Sequence, residues 1–499
     1  MASQAPRKVR ICQSCASMCF LIAALASPCG AADVPSSPYL PVIYRFADAM
    51  LQQGCDVHGP QKTGLMLSAL DRTTLAPLTT RPAAPAGIRE SDRDGPADGP
   101  LVGANPQHDQ NLLRVLYTLS ELSGRPVYRD AADAELRFFL RNAASPTTGL
   151  LPWGEHMSWN VLTDRPIPDQ ADAPGQHEFA RPWVLWDRCF ELEPDASKRF
   201  ALALWEHQIA GHATGAFDRH AGYWKHAATD GMDFARHAGF YIRTWAVAHA
   251  HTKDRTFLTA IQTLLSRYEK KRHPTTGLIE LRTGRDDASP VLSLSLAIDC
   301  DAAARLVPEP LASRLRNFAA REDEILCQLP HDLKGKSGFI SSCDKTTGRR
   351  DDSSITPLWE LRYGTFTTAT VAMMCVSRYE NTGKIGYRQL IDDAADAYLD
   401  RMPGDAVDLW PMSLGHAISL QLAAWRSTAR PVHLDHARKL ADYGLKTFWA
   451  GGDLPRASSR TNHYETITGS DTLALALVEL HLSILHITAV RCPANTIDR

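Results

Sequence analysis

"NLLRVLYTLSELSGRPVYRDAADAELRFFLRNAASPTTGL", residues 111–150, contains an apolar helical pattern, a short polar turn, a more polar helical pattern and a glycine stop. Residues 241–278, "YIRTWAVAHAHTKDRTFLTAIQTLLSRYEKKRHPTTGL", follow the same plan and close on the same pentapeptide, PTTGL, which occupies 146–150 and 274–278. Two further units, 366–405 and 413–453, repeat it without the pentapeptide. Each unit is about 40 residues, a period that belongs to stacked helical hairpins. The first helix of each is rich in Ala, Thr, Leu and Tyr, and the second carries Lys, Arg, Asp and Glu. Hairpins of this kind bury their apolar faces against one another, either as an open solenoid or as a closed ring. Extra loop material recurs after the second helix, and a ring sets all such loops at one mouth. The expectation is an all-α (α/α) toroid of six or seven hairpins over residues 108–490. An N-terminal helix and an irregular Pro/Ala/Asp/Gly-rich segment, 33–107, would pack on it.

The remaining bounds are consistent with this. The chain has 499 residues, 44% of them hydrophobic and 22% charged, with a net charge of −2. That balance excludes an electrostatic nucleic-acid binder, although local Arg and His still suffice for an anionic substrate. At the N-terminus "PRKVR", "CFLIAALA" and "SPCGAAD" form the basic, apolar and small-residue parts of an export signal, predicted as residues 1–32. The protein is therefore expected to be secreted or periplasmic. No run reaches spanning length, so no stable membrane insertion is expected. Seven cysteines follow the signal at wide spacings and read as buried or free thiols, with at most a disulfide such as Cys327 with Cys343 and no cysteine framework.

Five loops stand out: "GLLPWGEHMSWN" (149–160), "PGQHEFARPW" (174–183), "AFDRHAGYWKH" (216–226), "WELRYGTF" (359–366) and "PRASSRTNHYET" (455–466). Each combines Arg or His with Tyr or Trp. Aromatic faces cover sugar rings, and Arg, His and Asn address hydroxyls and carboxylates. His212, His249 and His251 lie in helical runs and read as structural. There is no HExxH, EF-hand loop, GxSxG or phosphate loop. "QHEF" and "DRH" leave a His–carboxylate pairing open, but no metal ligand is assigned and no cofactor is expected.

The order "GLLPWGEH…N", "HEF…W", "DRHAGY" and "RTNHYETITGSD" resembles the helical-toroid polysaccharide lyases that include polysaccharide lyase family 38, over about residues 105–485. Relatives of that family are often labelled pectate lyases. The stretch "HAGFYIRTWAV" after Asp233 departs from the resemblance. What the resemblance implies is β-elimination on a uronic-acid polymer such as glucuronan or alginate. The substrate carboxylate is neutralised, a base removes the C5 proton, and an acid protonates the leaving oxygen at C4. Asn160 and His156 are then the expected neutralisers. His177 and Tyr223 are the expected base and acid, with Arg219 and His220 as cationic support and Glu178 orienting His177. Trp153, Glu178, Tyr241, Arg362, Arg460, His463 and Tyr464 are expected to bind substrate. The alternatives are a glycoside hydrolase using two of Asp218, Glu155, Glu178 and Asp233, or a non-catalytic sugar-binding protein or sugar isomerase.

Overall fold

The two PTTGL segments fold into the same turn. The amides of Ser145 and His273 donate to the carbonyls of Leu150 and Leu278, both at 2.8 Å, and Gly149 and Gly277 donate back to Ser145 and His273. Both glycines have positive φ, +80° and +74°, which a side-chain-bearing residue adopts only at a cost. Each turn ends an outer helix and sends the chain back across the mouth.

The computed structural model describes residues 37–169, 175–335, 337–350 and 353–499. The predicted signal 1–32, with its cysteines, and Pro174 of the second loop lie outside them. Fourteen α-helices run in order: α1 (Tyr39–Ala49), α2 (Pro106–Ser123), α3 (Pro126–Phe138), α4 (Trp186–Leu192), α5 (Pro194–Ala203), α6 (Ala235–Thr252) and α7 (Thr256–Lys270); then α8 (Pro290–Ala304), α9 (Leu311–Gln328), α10 (Thr368–Thr382), α11 (Ile385–Tyr398), α12 (Pro411–Thr428), α13 (Pro431–Phe448) and α14 (Ser470–Ile484). Proline sits in the first turn of α2, α3, α5, α8, α12 and α13, where its missing N–H is no loss. Ser289 and Thr367 cap α8 and α10 through their side chains. Gly124 and Gly383 close α2 and α10 in the left-handed conformation.

The even-numbered helices form the inner layer. α6 packs on α4 and α8, α10 on α8 and α12, and α14 on α12 and α2, while α3, packed on both α2 and α4, joins the remaining step of the ring. α8 and α14 are buried on nearly every side, whereas α7, α9 and α13 are buried along one stripe, as inner and outer layers require. Six hairpins are consecutive in the chain. The seventh is assembled from the two ends: α1 lies behind α14, with Ser37 Oγ 2.7 Å from His481 Nδ1. Tyr39 hydrogen-bonds Asp442 on α13, and Asp48 accepts from Tyr128 on α3. The ring thus has seven inner and seven outer helices among the described residues.

Beyond α14 the chain turns back through the ring. Ala494 accepts from Arg114 on α2, and Asn495 donates to the Thr472 carbonyl on α14. Asp498 lies 3.0 Å from both His416 on α12 and Arg181. The Arg499 guanidinium grips Asp299 on α8 with bonds of 2.7 and 2.9 Å. The tail therefore fills the axis and forms part of the floor beneath the mouth. The described strands are short and form four pairs and one three-stranded sheet in the connecting segments. The seven described cysteines are unpaired, Cys327 and Cys343 included. No described helix is long and apolar enough to cross a membrane.

Candidate active site

Three of the singled-out loops are locked together at the mouth by backbone. Gly154 has φ +94°, and a Cβ there would fall 1.5 Å from the Glu178 carbonyl, so only glycine lets loop 149–160 press onto loop 175–183. The buried Asn105 side chain holds the same loop, donating to the carbonyls of Gly154 and Met157. Strand Gln176–His177 pairs antiparallel with Ala221–Gly222, His177 opposite Ala221, which brings Glu178 beside Arg219 and His220.

Glu178 is the hub. Its carboxylate is fully buried, and Oε2 lies 3.1 Å from Nε2 of both His156 and His220. The two imidazole nitrogens are 3.3 Å apart. Oε1 is 3.3 Å from His237 Nε2 and accepts from Arg219 Nη1. The same Arg219 nitrogen donates to Glu155 at 2.7 Å. Behind His220, its Nδ1 is 3.1 Å from Asp218.

These contacts set the charges. Burial opposes ionisation of Glu178, but the imidazoles of His156, His220 and His237 set against its oxygens outweigh it and hold its carboxyl well below the usual range. Glu155 goes the other way, raised by burial and by the charge of Glu178. Burial would lower His220, yet its bonds to Asp218 and Glu178 push it up to about 9. His237 is lowered to about 3, chiefly by burial.

The ligand atoms of Glu155, His156, Glu178 and His220 all lie within 4.8 Å of one another. An ion bonded to imidazole and carboxylate at about 2.1 Å places adjacent ligand atoms about 3 Å apart, and the triangle of His156, Glu178 and His220 matches that. Glu178 Oε2 is buried and has no hydrogen-bond donor of good geometry, as expected of an atom facing a cation. The Asp218 contact leaves His220 Nε2 free as a ligand once its proton is displaced. The residues therefore fit a first-row divalent metal. Sequence spacing assigned no such set because the ligands come from three loops.

Several expected site residues are elsewhere. His177 is fully buried between Trp153 Nε1 (3.0 Å) and Gln208 Oε1 (3.0 Å), lowered to about 4 by burial, and faces away from the cluster. Tyr223 is buried, raised by that burial, and donates to the Ala143 carbonyl at 2.5 Å. Trp153 packs among Phe139, Phe179, Trp183, Trp186 and Phe200 in the core. Tyr241 and Tyr464 are fully buried core residues. Asn160 spends its side-chain oxygen on the Leu162 amide in a turn. Arg460 is exposed and binds the Asp405 carbonyl. The divergent stretch "HAGFYIRTWAV" is part of α6, and its His237, Tyr241 and Trp245 all point into protein.

Other expected residues do converge. His156, Glu178, Arg219 and His220 form the cluster, and Arg362 lines the cavity above it together with Glu155, Arg181, Tyr363, Asp498 and Arg499. His463 is 2.7 Å from Glu465, which is held by Arg93. Arg93 in turn borders a second cavity with Glu155 and His156, so loop 455–466 shares the mouth. Arg89, 3.8 Å from Glu155, and Arg93 and Arg181 were missed. The first two sit in "RESDR", whose charge density within an otherwise irregular segment was the available signal.

The molecule is a helical toroid with a His–carboxylate–arginine cluster at its mouth. Residues 94–280, which contain every member of that cluster, match the family model described as periplasmic pectate lyase. A pectate disaccharide-lyase of Dickeya dadantii (strain 3937) is 23% identical over 163 residues, which cover 33% of this chain and 29% of that protein. The chain thus matches less than a third of that relative's length. Solved structures with a distant likeness to this chain include an inactive variant of α-1,6-mannanase GH76A of Salegentibacter sp. HEL1_6 with α-1,6-mannotetrose. It is 9% identical with a TM-score of 0.44, covering 90% of this chain and 100% of that one. A D-mannose isomerase is 8% identical with a TM-score of 0.47, over 90% of this chain and 99% of that one. Cellobiose 2-epimerase from Bacillus thermoamylovorans B4167 is 8% identical at 0.46, over 90% and 99%. Likeness at this level says nothing about activity.

Proposed function

We propose that the protein is a polysaccharide lyase that cleaves a uronic-acid polymer by β-elimination, in the periplasm or after secretion. The observation that carries this reading is the triangle of His156, Glu178 and His220 beside Arg219, inside the segment that resembles periplasmic pectate lyases. The C5 proton of a uronate becomes removable only when the adjacent carboxylate is neutralised. A divalent ion held by His156, Glu178 and His220 would supply Lewis-acid neutralisation there. Arg219 adds fixed positive charge beside the cluster. Glu155 is the proposed proton acceptor: it lines the cavities on both sides of the cluster, and its raised affinity for protons suits a general base. Arg219, bonded to both carboxylates, keeps Glu155 in place.

The hydrolase alternative gains nothing from the geometry. It needs two carboxylates about 5–10 Å apart across the scissile bond. Glu155 and Glu178 share one arginine nitrogen, Asp218 is tied to the His220 ring and to the amides of His220 and Met232, and Asp233 is buried against Arg267 and Lys271.

Incubation with polygalacturonate, glucuronan and alginate, followed in the ultraviolet, tests the reading. One of them should yield a 4,5-unsaturated uronate, and chelation should abolish the signal until a divalent metal is restored. New reducing ends without ultraviolet absorbance would overturn the lyase assignment. Tyr223→Phe, in contrast, should keep turnover within about twofold and cost about 1 kcal/mol for the lost buried hydrogen bond, read from melting. A hundredfold loss of turnover with an intact fold would return Tyr223 to the chemistry.

A further inference from the structure

Buried arginines in this protein have partners. Arg93 holds Glu465, Arg378 holds Asp323, Arg499 holds Asp299, and Arg72 is filled by backbone carbonyls and Asn462. Arg236, in the first turn of α6, is the exception. It is nine-tenths buried, with Nε fully enclosed, and among the described residues its guanidinium touches neither a hydrogen-bond acceptor nor a carboxylate, feeling Glu155 and Glu178 only from a distance. A buried cation left unpaired is costly, and a guanidinium fork is shaped for a carboxylate.

Its position says where that carboxylate comes from. Arg236 lines the cavity above the catalytic cluster and also a neighbouring cavity of about 610 Å³. Next to it in the chain, His237 touches Glu178. The neighbouring cavity is walled by Phe234, Leu292 and Phe366, with Ser289, Ser341 and Thr356 contributing hydroxyls, a mixture that suits a sugar ring. Arg362 and the turn Gly364–Thr365 border both cavities, so the two adjoin at loop 359–366. Arg362 is already paired with Glu360, which leaves Arg236 as the cation open to a ligand.

We infer that Arg236 binds the carboxylate of a uronate residue adjoining the one that reacts, and that the polymer continues from the catalytic cluster into the 610 Å³ cavity. This rests on the uronate-lyase reading and extends it to a second subsite selective for acidic over esterified or neutral sugar.

The probe is saturated trigalacturonate and its methyl ester, with the binding of each measured by calorimetry on the wild-type protein and on Arg236→Gln and Arg236→Lys. Removing one partner of a buried charge pair predicts at least about 30-fold weaker binding of the acid by Arg236→Gln. Binding of the ester should change little, so that discrimination disappears. Arg236→Lys, which keeps the charge without the fork, should fall between and serves if Arg236→Gln does not fold. Unchanged discrimination in either variant, equal losses for acid and ester, or failure of the wild-type protein to bind the acid would overturn the inference. Acid-selective binding that depends on Arg236, without any ultraviolet-absorbing product, would leave this subsite standing and remove the lyase reading instead.

Discussion

Glu178→Gln is expected to lower turnover by about 10³-fold or more, the scale seen when a pre-organised electrostatic group is removed at a reacting centre. The substitution keeps volume and removes charge. His156 and His220 each face the Glu178 oxygen at 3.1 Å, and Arg219 and His237 meet the other one. Without the carboxylate the Arg219 guanidinium and the protonated His220 lose their shared counter-charge, and His237 stays neutral, so stability should fall by about 1–3 kcal/mol. Divalent-metal uptake, followed by calorimetry, should vanish with activity. A Glu178→Gln protein that binds metal and melts like the wild type would show that Glu178 is not the hub.

Asp299→Ala should be the most destabilising substitution far from the cluster. Asp299 is fully buried, accepts two bonds from Arg499, and lies 3.6 Å from Arg243. Its removal strands two guanidinium groups in the ring's axis, at a cost of about 3–5 kcal/mol. The tail should loosen before the ring does. Hydrogen exchange at residues 494–499 would rise while the inner helices stay protected, and because Asp498 and Arg499 help line the mouth cavity, substrate affinity would fall too. Wild-type exchange across the tail would contradict this account.

The hairpins were legible because each buries one stripe, and helical periodicity records that stripe directly. The seventh pair was not legible, because α1 and α14 lie at opposite ends of the chain and nothing local marks them as partners. The axial tail was hidden for the same reason. At the site, loop composition located the right segments but could not tell inward from outward. In loop 216–226, Arg219 and His220 reach Glu178 while Tyr223 turns back to the Ala143 carbonyl. His177 and Glu178 are neighbours in sequence yet serve the core and the cluster respectively. That choice is made by strand pairing with Ala221–Gly222 and by the close approach at Gly154, which are properties of the folded loops together. Burial then removed Trp153, Tyr241 and Tyr464 from the list, since large aromatics read alike whether they meet a sugar or a core.

The joining of α1 to α14 also bears on how the molecule is made and how it evolves. Ser37 and His481 meet across 444 positions, so the earliest described helix must wait for the latest before its apolar face is covered. An open array of hairpins gains stability unit by unit as it leaves the ribosome, whereas here the final seam forms only after the last helix emerges. The same seam fixes the copy number: a duplicated or deleted hairpin, tolerated by a solenoid, would leave this circle with a gap or an overlap.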